Sequence, residues 1–149
     1  MILLTYRNFA REQAEVPLLD VKESTADDII YQIMRYIDTH IHSLSGTREI
    51  AGKLGYNEAY LSRLFHKKTG ITLQRHISEV RIARAIELIK LREYPISTIA
   101  AMLNYQTPQA FSRAFHRVVG MSAREYSRRN FKGYNPVEIL DDDVSDELL

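Results

Sequence analysis

From Thr25 onward the apolar positions recur at helical spacing, Ile29, Ile33, Ile37 and Ile41 falling at steps of four, which predicts one buried stripe on an amphipathic helix. Thr25 followed by Asp28 supplies its start. Gly46 closes this helix, and Thr47 is expected to cap a short helix over Arg48 to Leu54 that stops at Gly55. A turn at Gly55, Tyr56 and Asn57 leads into a longer helix, Glu58 to Thr69, closed by Gly70. Between Leu73 and Leu91 the apolar residues Ile77, Val80, Ile82, Ala85, Ile86, Leu88 and Ile89 spread around much of the circumference, so this helix is buried on more than one side. At ~1.5 Å per residue it is about 27 Å long, a stiff strut between two lobes. Pro95 breaks the chain, Ile96 to Leu103 forms a short helix, and Thr107 with Pro108 provides a cap and a proline at the first helical position. A helix from Pro108 to Val119 ends at Gly120, and Ser122 with Glu125 predicts a capping box on a last helix reaching about Arg129.

The order short helix, glycine turn, second helix is that of a helix-turn-helix, and it occurs twice. Ile50, Ala51 and Tyr56 correspond to Ile99, Ala100 and Tyr105 at an offset of 49; Ser62, Arg63, Phe65, His66 and Gly70 correspond to Ser112, Arg113, Phe115, His116 and Gly120 at an offset of 50. The second copy therefore carries one extra residue within Gln106 to Ala110. Both copies run in the same direction, a direct repeat that predicts an asymmetric DNA target readable by one monomer. The expected fold is all-α: two helix-turn-helix subdomains at 25–72 and 93–130, each a homeodomain-like three-helical unit, joined by a linker helix at 73–92.

The flanks differ. Met1 to about Ala14 reads as a short apolar helix, with a linker at roughly 15–24 around Pro17. Residues 131–149 read as an acidic, disordered tail. Charge is segregated accordingly. Residues 1–46 hold four basic against seven acidic groups, residues 47–130 hold fifteen against six, and residues 131–149 hold one against six. A net of +1 thus conceals a middle segment at +9, a footprint suited to a polyanion. The tail could fold back on that basic surface as a mimic of DNA. Asp141, Asp142 and Asp143 lack the glycine and closing glutamate of a calcium loop.

With no cysteine among the 149 residues, disulfide frameworks, thiolate metal sites and cysteine nucleophiles are excluded. No signal-like start or ~18-residue apolar run exists, so a cytoplasmic protein with no membrane partner is expected. His40 and His42 have no third ligand beside them and read as core-edge histidines, so neither a metal nor any other cofactor is expected. There is no glycine-rich phosphate loop and no acid/base pair that would argue for an enzyme.

The second copy with its closing Gly120-x-Ser122-x-x-x-Tyr126-x-Arg128, together with Arg81, Ile82, Ala85 and Leu88 on the strut, resembles the AraC family of bacterial transcription regulators over roughly Ala26 to Arg129. Two positions depart from that pattern: Asn104 replaces a glycine and Ala123 a proline. Asn tolerates positive φ and Ala opens helices well, so neither disturbs the fold. The resemblance implies a double-stranded DNA partner, contact with RNA polymerase as an activator, and an N-terminal effector-sensing and dimerising domain of which Met1 to Ala14 would be a remnant. The chain is then a fragment or short form of a longer regulator.

A recognition helix offers its N-terminal residues to base edges. The candidates are Ala59, Ser62, Arg63 and His66 in the first unit, and Gln109, Ala110, Arg113 and His116 in the second. Arginine grips guanine with two bonds, glutamine does so with adenine, and alanine meets a thymine methyl. Lys53, Lys67, Lys68, Arg117, Arg124, Arg128 and Arg129 are candidates for phosphates, with Arg81, Arg84 and Arg92 on the strut as weaker ones. Protonation of the two histidines would strengthen contact with phosphate. Phe65, Phe115, Tyr56 and Tyr105 read as core plugs beside the glycine turns. The competing reading is a non-catalytic interaction module or antagonist derived from such a regulator, which would protect no defined DNA segment.

Overall fold

The computed structural model describes residues 24–130. Among these, the secondary structure consists of helices: α1 Ala26–His40, α2 Thr47–Leu54, α3 Glu58–Thr69, α4 Leu73–Leu91, α5 Ile96–Met102, α6 Pro108–Val119 and α7 Ala123–Asn130. The expected N-terminal helix and the acidic tail lie outside the described residues.

The chain divides into two compact units between Val80 and Arg81, inside α4. In the first unit α1 to α3 and the first half of α4 enclose a core containing Ile29, Ile33, Ile37, Ile50, Leu61, Phe65, Leu73 and Ile77. In the second, the rest of α4 and α5 to α7 enclose Ile82, Ala85, Ile89, Ile99, Leu103, Phe111 and Phe115. The even spread of apolar residues around α4 follows from this division. Leu73, Ile77 and Val80 lie within about 60° of one another on the helix, whereas Ile82, Ala85 and Ile89 lie about 120–180° away from Leu73. The buried stripe changes face at the boundary, so neither face reads as polar throughout.

Helix starts depend on short side chains. Thr25 and Asp28 form the expected capping box on α1: the Asp28 N–H donates to Thr25 Oγ1 at 3.2 Å and the Thr25 N–H to Asp28 Oδ2 at 2.9 Å. The Thr25 hydroxyl, donating to Asp28 Oδ2 at 2.7 Å, and after it the Thr25 N–H hold the Asp28 carboxyl below its ordinary pKa. Thr47 departs from expectation. It is the first residue of α2, with Gly46 at the N-cap, and its hydroxyl donates to Glu58 at the start of α3. The α2 start is held by Glu49, whose Oε2 accepts from the N–H and hydroxyl of Ser45 at 3.0 and 2.8 Å. These two bonds, with a third from the Tyr36 hydroxyl on α1, keep the Glu49 carboxyl below the usual carboxylate range. At α7 half of the expected capping box is present: the Glu125 N–H donates to Ser122 Oγ at 3.1 Å, while the Glu125 carboxylate is engaged by Arg129.

Candidate nucleic-acid interface

The two helix-turn-helix pairs, α2 with α3 and α5 with α6, share their turn chemistry. After α2, Gly55 adopts φ 76°, and the Tyr56 N–H donates to the Ala51 carbonyl at 2.9 Å. After α5, Asn104 adopts φ 62°, and the Tyr105 N–H donates to the Ala100 carbonyl at 3.1 Å. Asn104 therefore performs the left-handed step that glycine performs in the first copy, which explains why asparagine is tolerated there. The caps of the second helices follow. Asn57 Oδ1 accepts from the N–H groups of Ala59 and Tyr60 at 2.9 and 3.2 Å, and Thr107 Oγ1 accepts from Ala110 at 3.1 Å. With Tyr56 matched to Tyr105 and Asn57 to Thr107, the extra residue of the second copy is Gln106.

Each second helix is anchored by aromatic rings on its buried side. Leu61 and Phe65 in α3, and Phe111 and Phe115 in α6, are at most 1% exposed. The Phe65 ring lies 5.2 Å from that of His76; Phe115 lies between Phe111 at 5.8 Å and Tyr126 at 5.9 Å. Tyr56 and Tyr105 are half-buried against their cores. These rings are packed, as the spacing predicts, and do not form an open stacking surface. Arg81 belongs to the same packing: its guanidinium sits 5.6 Å from the Tyr105 ring centre, and burial holds it below the ordinary guanidinium pKa.

On a helix turning about 100° per residue, Arg63 lies within about 20° of the direction opposite both Leu61 and Phe65. The same arithmetic places Arg113 opposite Phe111 and Phe115. Ala59, Arg63 and His66 are exposed and Ser62 is half-buried; in the second copy Arg113 and His116 are exposed, with Gln109 and Ala110 half-buried. Within each unit the base-reading candidates thus share the outward side of one helix, Ser62 standing at its margin.

The cationic candidates separate into groups. Lys53, Lys67, Arg117 and Arg128 are exposed and have no ion-pair partner among the described residues. Lys68 is held 3.0 Å from Asp27 of α1, Arg129 is engaged by Glu125 of its own helix, and Arg84 lies 2.9 Å from Glu87. Arg124 is half-buried. Two residues escaped the sequence reading. Arg48, its side chain 93% exposed, lies 3.5 Å from Glu58, so the single acidic residue of α3 is neutralised and drawn back by Arg48 and Thr47. Tyr60 is a large aromatic left 42% exposed beside Arg63; its spacing three residues before Arg63 was the available signal.

Two helix pairs, each joined through a left-handed turn residue, Gly55 in one and Asn104 in the other, and each with a basic outer face, define a helix-turn-helix DNA-binding protein of the tandem kind. A family model described as a helix-turn-helix domain matches residues 50–129. Regulatory protein SoxS of Salmonella typhimurium is 35% identical over 101 residues, covering 68% of this chain and 94% of that protein. The C-terminal domain of AraT, a response regulator from Geobacillus stearothermophilus, superposes with a TM-score of 0.67 at 29% identity, over 77% of this chain and 97% of that one. The DNA-binding domain of AdpA, solved in complex with a target DNA, shares the fold at a TM-score of 0.63 and 18% identity, over 70% of this chain and 97% of that one. The chain belongs to the AraC family of DNA-binding transcription regulators. It spans about half the length of other regulators that it matches, 47% of one and 45% of another. Among the described residues no helix is long and apolar enough to cross a membrane.

Proposed function

We propose that the chain reads an asymmetric DNA site by placing α3 and α6 in adjacent major-groove segments, with Arg63 and Arg113 each gripping a guanine. The observation that carries this reading is the repeated outward arginine, backed in both copies by a buried phenylalanine two residues further on. A guanidinium so placed offers two parallel donors at a fixed height above the core, which is the geometry that guanine O6 and N7 require. Gln109 pairs with adenine; Ala59 and Ala110 meet thymine methyls. Ser62, His66 and His116 complete the reading faces.

Phosphate contacts fall to Lys53, Lys67, Arg117 and Arg128 first, since Lys68 and Arg129 must exchange a carboxylate for a phosphate. Arg124 supports them from the edge of α7. In the cell such a protein acts at a promoter, as an activator that touches RNA polymerase. Where it forms part of a longer regulator, dimerisation falls to the N-terminal side.

Footprinting on promoter DNA tests the reading. The parent protein protects one defined, non-palindromic segment, while Arg63→Ala and Arg113→Ala each lose protection over a different part of it. Uniform or absent protection would instead favour an interaction module.

A further inference from the structure

The outward face of α3 holds an aromatic side chain that base reading does not use. Measured around the helix from Arg63, Ala59 and His66 fall about 40–60° to one side, and Tyr60 and Lys67 about 40–60° to the other. Tyr60 is 42% exposed although it is among the most apolar residues of that face. It is also held in place. Asn57 Oδ1 accepts its backbone N–H at 3.2 Å, and its ring lies 6.0 Å from that of Tyr56, tilted by 31°. Tyr56 in turn packs against the core of the first unit. A ring supported in this way loses little further freedom when its outer edge meets a partner, because only two side-chain torsions are involved. The corresponding residue of the second unit, Ala110, is half-buried and has no such reach.

We propose that Tyr60 is a positioning residue for DNA: its ring lies along the sugar wall of the groove and its phenolic O–H donates to a backbone phosphate oxygen, on the flank shared with Lys67. This rests on the DNA-reading role of α3 proposed above. When a helix lies in the major groove its two flanks face the two walls; with Ala59 and His66 on one side of Arg63, Tyr60 and Lys67 lie toward the other wall, and the tyrosine, far longer than the alanine at the same place in the second unit, extends past the base edges to the backbone. A hydroxyl donor carries no formal charge, so it fixes register without releasing a counterion, unlike the Lys67 ammonium.

That difference gives the test. Tyr60→Phe, Tyr60→Ala, Lys67→Ala and Arg63→Ala are titrated against the footprinted fragment and its single-base variants over a range of KCl concentrations, with melting temperatures measured alongside. Tyr60→Phe is expected to lower affinity about five- to tenfold, by the same factor on every base variant, with the salt slope and melting temperature unchanged. Tyr60→Ala loses more by the same pattern, and Lys67→Ala reduces the slope by about one. Parent-like binding by Tyr60→Phe, a loss confined to one base position, or a loss matched by a lower melting temperature would each overturn the proposal. Arg63→Ala separates the two levels. If it too binds as the parent does, DNA reading by α3 fails; if it loses affinity while Tyr60→Phe does not, only the positioning role fails.

Discussion

Lys67 and Lys68 are neighbours in the last turn of α3, yet their surroundings give them different work. Lys67 faces solvent, whereas Lys68 is 3.0 Å from Asp27. Lys67→Ala should therefore lower DNA affinity and flatten its salt dependence by about one in slope, and Lys68→Ala should change both less; binding titrations at several salt concentrations check this. Arg63→Ala and Arg113→Ala should each cost about 1–3 kcal/mol of discrimination at one base position, measured with single-base variants of the site. His76 governs stability instead. It is 2% exposed beneath Phe65, and burial lowers its pKa to about 4, against ~6.5 in the unfolded chain. The unfolded state binds the proton more readily, so this contribution is complete above pH ~6.5 and is lost as pH falls toward 4, by about 3 kcal/mol in all. Chemical denaturation between pH 7 and 4 should show that loss, and His76→Gln should flatten it. Residue exposure on the reading faces was legible from periodicity. The ion pairs were not, because Asp27 lies about forty positions before Lys68 and no local pattern joins them.

At the scale of elements, most helix boundaries followed from glycines and short polar caps, but α1 ends at His40, six residues before the expected Gly46, with Ile41 still right-handed at its C-cap. Gly55, Gly70 and Gly120 all adopt the left-handed conformation expected of them, and a Cβ added to any of the three would meet nothing within 4 Å. Gly120→Ala should then cost only the conformational penalty, about 1–2 kcal/mol, read as a shift in denaturation midpoint; a larger loss would reveal a packing role. Phe115→Ala, by contrast, empties the centre of the second core and should cost about 3–5 kcal/mol. Thr47 shows where local rules stop. Its hydroxyl could cap α2, but Glu58, eleven residues away, takes it, and a cap rule that looks only three residues ahead cannot detect that. The crowded pattern of α4 had the same origin. Periodicity signalled burial on several sides, and only the two separate cores show that the stripe changes face after Val80.

For the molecule as a whole, repetition was the most legible property. Two copies at offsets of 49 and 50 align within the sequence itself, and Gln106 emerges as the inserted residue once the caps Asn57 and Thr107 are matched. Charge adds a property that no single helix carries: with +9 over residues 47–130, about six phosphate contacts would give a slope of log affinity against log salt near −5. The central claim is that two outward arginines, one per copy, read two parts of one asymmetric site. Selection of bound sequences from a random double-stranded pool, repeated with Arg63→Ala and Arg113→Ala, tests it most directly. The account predicts a motif of two unlike blocks in direct orientation, each containing a guanine, with each variant losing one block and retaining the other. A palindrome, no shared motif, or both variants selecting the parental sequence would contradict it.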